Sequence, residues 1–171
     1  LFEALAAAQA LGFGAAGLVI FYQSGEDGLA GFVALVVGSL LLTAVFLGLA
    51  ALIAAGATGR RRQKALAVAL VVWFASVVLF DVVALGVASF LRSGTASRLL
   101  IVSVLVNPVD AIRTGTLLAI EGTAAFGAAS LAFFRFTNGT LGAQLLLGVS
   151  VLVWIVAPIA AAVWRLQRSD V

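Results

Sequence analysis

The side chains best suited to chemistry are concentrated in one short segment, Asn107-Pro108-Val109-Asp110-Ala111-Ile112-Arg113. Proline removes a backbone donor and disfavours helix at the residue before it, so a helix that enters from Leu99 should break near Asn107. A helix that restarts there would have Asn107 as its N-cap, Pro108 in its first turn and Asp110 near the positive end of its dipole. The segment is therefore either a structural helix start or, with Arg113 on the same face, the rim or gate of an external exit path.

Asp81 is the only charged residue inside an apolar stretch long enough to span a membrane. A carboxylate near the bilayer centre costs about 2.5–3.5 kcal/mol, so it should face protein or water and have a partner. It could bind a transported cation or proton, pair with a basic residue of the broken segment, for which Arg113 is the first candidate, or stay protonated in an apolar site. We favour the structural pairing. Glu121 is either an interfacial group or a gate carboxylate.

Missing residue types exclude several classes of site. The chain has no cysteine, histidine or methionine, so it offers no soft or imidazole ligand for copper or zinc, and we expect no cofactor or metal. A serine nucleophile would lack its usual histidine base, and the single lysine, Lys64, lies among arginines in a loop. There is no phosphate-binding loop, so ATP hydrolysis is expected in a separate subunit and this chain is not expected to be an enzyme.

The composition predicts an all-α, polytopic membrane helix bundle that forms a single domain over residues 1–171. The chain is 64% hydrophobic and 10% charged, against about 25% charged residues in soluble domains, and its mean hydropathy is +1.24. Four stretches are long enough to cross membrane lipid: Ala4 to Tyr22, Leu29 to Ala55, Ala65 to Leu91 and Leu141 to Trp164. The basic residues lie at the ends of apolar runs and argue against nucleic-acid binding, and Trp154 and Trp164 are expected to be packing and interface anchors.

Charge between the apolar stretches predicts their orientation. The loop between the second and third stretches carries four basic residues, Arg60, Arg61, Arg62 and Lys64. By the positive-inside rule this loop and the C-terminus are cytoplasmic, and the loop with Glu26 and Asp27 is external. The segment from about Ser93 to Thr140 must then begin and end outside. It contains either two full spans or a re-entrant external helical hairpin, and the hairpin is favoured because the run from Leu99 to Val106 is too short to span.

The order of these features resembles a known family. A short basic loop, a span with Trp73 and Asp81, the Asn107–Arg113 segment and a closing span follow one another as in the C-terminal two-thirds of the type II ABC exporter permeases. The chain looks most like the NosY-type permease that serves maturation of nitrous oxide reductase. The resemblance implies six spans with re-entrant external helices between the fifth and sixth, so this chain would be a fragment that lacks the N-terminal spans and their coupling helix.

The same resemblance implies partners and a role. It implies a second permease copy, cytoplasmic ATPase subunits and a periplasmic accessory protein, in the inner membrane, with export of a sulfur species or other support for copper-site assembly. The leading hypothesis is therefore a permease subunit of an ABC exporter, with its Asn107–Arg113 segment near the external exit. The alternative is a non-transporting membrane scaffold or assembly factor. A membrane enzyme acting on lipid-linked substrates would need clustered acidic or histidine residues, which the sequence does not supply.

Overall fold

The computed structural model describes residues 2–55, 61–122 and 133–169, and every regular element in these ranges is helical. Long apolar segments in a membrane fold as helices, because a helix satisfies its backbone hydrogen bonds within the segment. The elements in chain order are α1 (Phe2–Ala54), α2 (Arg61–Phe74), a π-helix (Ala75–Leu79), α3 (Phe80–Ser89), α4 (Ser93–Val106), α5 (Pro108–Glu121) and α6 (Thr140–Ser169).

Helix α1 consists of two antiparallel arms that meet at Gly25. This glycine has φ 60° and ψ −144°, a conformation that side chains disfavour, and it breaks the helix in the loop that the sequence places outside. Gln9 donates a hydrogen bond to Thr43, 34 residues along the chain, and a Cβ on Gly17 would touch the Phe32 ring. These contacts show that the first arm (residues 2–24) folds back along the second arm (residues 26–54).

Three helical segments are long and apolar enough to cross a membrane: Gly28–Ala54, Lys64–Ser89 and Thr140–Arg168. They overlap the second, third and fourth stretches expected from the sequence. The first expected span, from Ala4 to Tyr22, lies in the helical first arm of α1 but is not among the three, so it stays a prediction. Helices α4 and α5 would together suffice for a further broken span, but they meet at an angle of 99°.

The buried core lies where α5 crosses α1 and α6. Val45 of α1, Ala111 and Ile112 of α5, and Leu147 and Val151 of α6 form one cluster of buried side chains. Close approach of α5 to α1 depends on glycine at position 38, whereas position 31 makes an ordinary van der Waals contact. A Cβ on Gly38 would overlap Thr116 Oγ1, and a Cβ on Gly31 would lie 3.5 Å from Ile120 Cγ2. Helix α5 therefore runs along the second arm from the level of Val45 toward Gly25.

Candidate functional site

The break between α4 and α5 is held by the side chain of Asn107, which is 2% exposed. Its Oδ1 accepts a hydrogen bond from Val109 N at 3.1 Å, and Pro108 occupies the first turn of α5. The helix end and restart therefore occur where the sequence predicted them, although α4 begins at Ser93, earlier than the apolar run from Leu99. The Asn107 carbonyl accepts from Ala111 N at 3.0 Å, so the restart begins with a complete helical hydrogen bond.

The other end of the Asn107 amide reaches a second helix. Its Nδ2 donates to Ser76 O at 2.8 Å, and Ser76 belongs to the π-helix between α2 and α3. Phe80 N–H bonds to Ala75 O rather than to Ser76 O, its partner in an α-helix. The irregular turn thus leaves the Ser76 carbonyl open to Asn107, and a break in one helix is joined to an irregularity in another.

Helix α6 closes the junction from the opposite side. Ser150 Oγ donates to Leu105 O, and Trp154 Nε1 donates to Val106 O at 3.0 Å. Both accepting carbonyls are at the end of α4, where a helix has no intrahelical donors left. Four residues separate the two donors, so they share one face of α6. Two carbonyls at the end of α4 and the Val109 amide at the start of α5 are therefore bonded within the protein, as non-helical backbone at membrane depth requires.

An ionic group lies beside the junction and joins α3 to α5. Arg113 Nη2 donates to Asp81 Oδ2 at 3.2 Å and lies 2.7 Å from Asp110 Oδ1. The second contact is an ion pair without hydrogen-bond geometry, because Asp110 Oδ1 has no hydrogen-bond partner in the described residues. Asn107 Nδ2 donates to the other oxygen, Asp110 Oδ2, at 3.1 Å.

The three charged side chains differ in exposure. The Asp110 side chain is 4% exposed, whereas those of Asp81 and Arg113 are 31% and 57% exposed. Two carboxylates share one guanidinium, so with both ionised the group has one net negative charge. The pairing of Asp81 with Arg113 is the one that the sequence favoured, and it fixes the rotation of α5 relative to α3.

The junction lies deep in the bundle. Ser76 is near the middle of the candidate span Lys64–Ser89, and Trp154 is near the middle of Thr140–Arg168. The sequence predicts that the Asn107–Arg113 segment lies near an external exit, and that location stays a prediction. In the structure the junction contacts the central turns of both neighbours, at Ser76 and Trp154. Pattern alone locates the break along the chain, whereas its depth depends on tertiary hydrogen bonds.

The remaining residues that the sequence singled out lie away from this junction. Glu121 is exposed at the end of α5, before Gly122. Arg60 is outside the described residues, Arg61 and Arg62 lie in the first turn of α2, and Lys64 is exposed there. In the described part of the chain, no three histidine, cysteine, aspartate or glutamate side chains are grouped to hold a metal ion.

An apolar cavity adjoins the junction between the second arm of α1, α5 and α6. Its volume is about 630 Å³, and most of its lining is aliphatic, with Thr116 and Gln144 as the polar exceptions among the described residues. Ala111 and Ile112, which follow Asp110 directly, form part of its wall. A displacement of α5 would therefore change both the ionic group and the shape of this cavity.

Sequence reasoning missed three participants in the site: Ser76, Ser150 and the indole N–H of Trp154. The i, i+4 spacing of Ser150 and Trp154 was the one available signal, since it places two donors on one face of an apolar helix. Nothing in the apolar run of Ala75–Leu79 distinguishes a π-helix from an α-helix. Trp154, expected to be a packing anchor, is also a hydrogen-bond donor to the break.

Comparison with family models identifies the chain. Residues 4–171 match the model described as ABC-2 family transporter protein. Comparisons with curated proteins and with solved structures returned no match. The match covers nearly the whole chain and agrees with the apolar helices and the absence of a phosphate-binding loop from the sequence. The protein is therefore a multi-pass membrane permease subunit that belongs to the ABC-2 family of transporter proteins.

Proposed function

We propose that this chain is the membrane-spanning half of an ATP-driven exporter in which α4 and α5 form a re-entrant element inside the bundle. The observation that carries the proposal is the α4–α5 junction, which reaches the middle of the bundle and is hydrogen-bonded to both flanking spans. A broken helix at that depth is costly unless its backbone groups are bonded, so the hydrogen bonds that the flanking helices supply there support a working element of the permease.

The course of α4 and α5 supports the re-entrant arrangement. Helix α4 starts just after α3 ends, on the side of the bundle that the sequence places outside. From the break, α5 runs back along the second arm of α1, with Thr116 beside Gly38 and Ile120 beside Gly31. Its far end therefore returns toward Gly25, which is in the external loop by the charge argument. Both ends of the pair then lie outside, with the break between them.

The junction can couple movements of the spans to the cavity. One asparagine ties α5 to the π-helix, two donors of α6 tie the end of α4, and Arg113 joins α5 to Asp81. A shift of Lys64–Ser89 relative to α6 must therefore move α5 or break these bonds. Since α5 forms a wall of the apolar cavity, closure of ATPase subunits on the cytoplasmic side would change the cavity by this route.

The partners follow from this role. The ATPase is a separate cytoplasmic subunit, a second copy of the permease completes the membrane unit, and the Arg60–Lys64 segment and the C-terminus face the cytoplasm of the inner membrane. The resemblance of the Trp73–Asp81 span and the Asn107–Arg113 segment to the NosY-type permease supports export to the periplasm in nitrous oxide reductase maturation. The lack of soft or imidazole ligands argues against a stepwise transfer of copper between side chains of this part of the pore.

Purification of the tagged full-length protein from its native membrane tests this proposal. We expect an ATPase subunit to co-purify. We also expect ATP to change the reactivity of a cysteine introduced at Thr116, in the cavity wall. A matched Tyr22→Cys variant, at an exposed residue of the first arm of α1 that lines neither cavity, should be unchanged. A complex without any ATPase, or a Thr116→Cys variant that does not respond to ATP, would favour the scaffold alternative.

A further inference from the structure

A second cavity, of about 550 Å³, lies on the other face of the second arm of α1. It is bounded by the first arm of α1, α2, the π-helix and the start of α5, and so lies within one copy of the chain. Its size is within the range of about 300–1,000 Å³ that is usual for sites of drug-sized ligands. The described residues that line it carry no charge.

Some polar groups that line this cavity have no hydrogen-bond partner among the described residues. Gln9 Nε2 donates to Thr43 Oγ1 at 3.1 Å, and Thr43 Oγ1 donates to Ser39 O at 2.9 Å, so these groups are fixed. Within the described residues, the Gln9 carbonyl oxygen, the Ser39 hydroxyl and the Trp73 indole N–H have no hydrogen-bond partner. Polar groups in an apolar bundle are normally hydrogen-bonded. The indole donor of Trp73, the carbonyl acceptor of Gln9 and the hydroxyl of Ser39, which can donate or accept, are therefore available to a ligand.

The rest of the lining suits an apolar body. Leu42, Phe46, Leu47, Val77 and Val109 form the other walls, and Leu47 and Trp73 are about half exposed, so the cavity opens toward the bilayer. A ligand that enters this way must be soluble in lipid. It must also carry hydrogen-bonding groups at one end.

We propose that this cavity binds one neutral, single-chain amphiphile drawn from the bilayer. Its hydroxyl or carbonyl head bonds Gln9, Ser39 and Trp73, and its chain lies against Phe46 and Leu47. An anionic head is disfavoured because no described cation lines the cavity to offset its burial. Binding of this kind needs no ATP, so the proposal goes beyond the exporter assignment and can fail or succeed independently of it.

Photolabelling of the purified full-length protein in lipid nanodiscs tests this inference. The probe is a photoreactive, alkyne-bearing monoacylglycerol, and the comparison probe is the photoreactive fatty acid with the same chain. We expect the monoacylglycerol adducts to map to residues 39–47 and to Trp73 and to be displaced by unlabelled monoacylglycerol. Equal labelling by the anionic probe, or adducts spread over the whole apolar surface without displacement, would overturn the proposal.

Variants make the test specific. Gln9→Leu combined with Ser39→Ala removes two of the free groups, and each lost hydrogen bond should lower probe affinity about fivefold. Ser39→Leu fills the cavity and should abolish the displaceable labelling. Ser97→Ala, at a partly exposed serine of α4 outside the cavity, is the matched control and should leave this labelling unchanged. Full displaceable labelling in a correctly assembled Ser39→Leu variant would show that the ligand is not in this cavity.

Discussion

Replacement of Asn107 by alanine should be among the most destabilising single changes at the junction. It removes the cap on Val109 N, worth about 1 kcal/mol. It removes the bond to Ser76 O, worth about 0.6 kcal/mol by the average for membrane proteins. It also removes the bond to the buried Asp110 carboxylate, for which about 1.5 kcal/mol is the lower end for a charged partner. The total is about 3 kcal/mol, a shift of roughly a hundredfold in the unfolding equilibrium.

The Asn107→Asp variant separates the capping role of this side chain from its hydrogen bond to Ser76 O on the neighbouring helix. Aspartate is as good an N-cap as asparagine, so the bond to Val109 N can persist. It has no N–H to donate to Ser76 O, and it places a second carboxylate beside Asp110. We therefore expect this variant to be at least as unstable as Asn107→Ala.

Reversible unfolding in mixed detergent and lipid micelles would measure both variants. Ser97→Ala is the control, because its hydroxyl bonds only within an exposed turn of α4 and its loss should change stability by less than about 0.5 kcal/mol. An Asn107→Asp protein as stable as the parent would refute the argument. The amide would then be a local cap and not a bridge between helices.

Three further changes test the packing around the junction. Asp81→Asn should lower assembly of the permease more than it alters any proton or cation dependence, because a paired charge in the bundle is first a folding element. Transport at varied pH measures that dependence. A well-assembled variant with altered ion dependence would instead make Asp81 a transport site. Gly38→Ala should lower thermal stability, since its Cβ would overlap Thr116. Gly86→Ala, where nothing lies within 4 Å, should be neutral or stabilising by up to about 1 kcal/mol. Equal effects of the two substitutions would show that close packing of α5 on Gly38 does not require glycine. Trp154→Phe keeps the ring but not the donor to the last carbonyl of α4, and should cost about 0.6–1.7 kcal/mol in the same unfolding assay; no loss of stability would show that the bond is dispensable.

Local sequence chemistry was sufficient to predict the break and its cap. Proline at position 108 prevents continuation of α4, and the asparagine before it has a side chain that can reach the second amide of the next helix. The pairing of Asp81 with Arg113 was predictable for a different reason. A lone carboxylate in an apolar span needs a partner, and few basic residues lie near enough in any compact arrangement.

Tertiary contacts account for what the sequence could not predict. The Ser76 carbonyl is available only because a π-helix replaces one α-helical turn, and the apolar residues of that turn carry no signature of it. The bonds from Ser150 and Trp154 depend on how α6 is placed against the end of α4. For the same reason the sequence does not determine the depth of the junction, since an exit-side segment and a mid-bundle segment share one local pattern.

Cysteine labelling of intact cells tests the central claim, a re-entrant α4–α5 pair, most directly. The chain has no cysteine, so single cysteines can be placed at Ser97, which is partly exposed, and at Glu121 and Lys64, which are exposed. A membrane-impermeant maleimide should react from outside with Ser97→Cys and Glu121→Cys, and with Lys64→Cys only after the cells are opened. If Ser97→Cys reacts from outside while Glu121→Cys reacts only from the cytoplasm, α4 and α5 are one broken span and the re-entrant account is wrong.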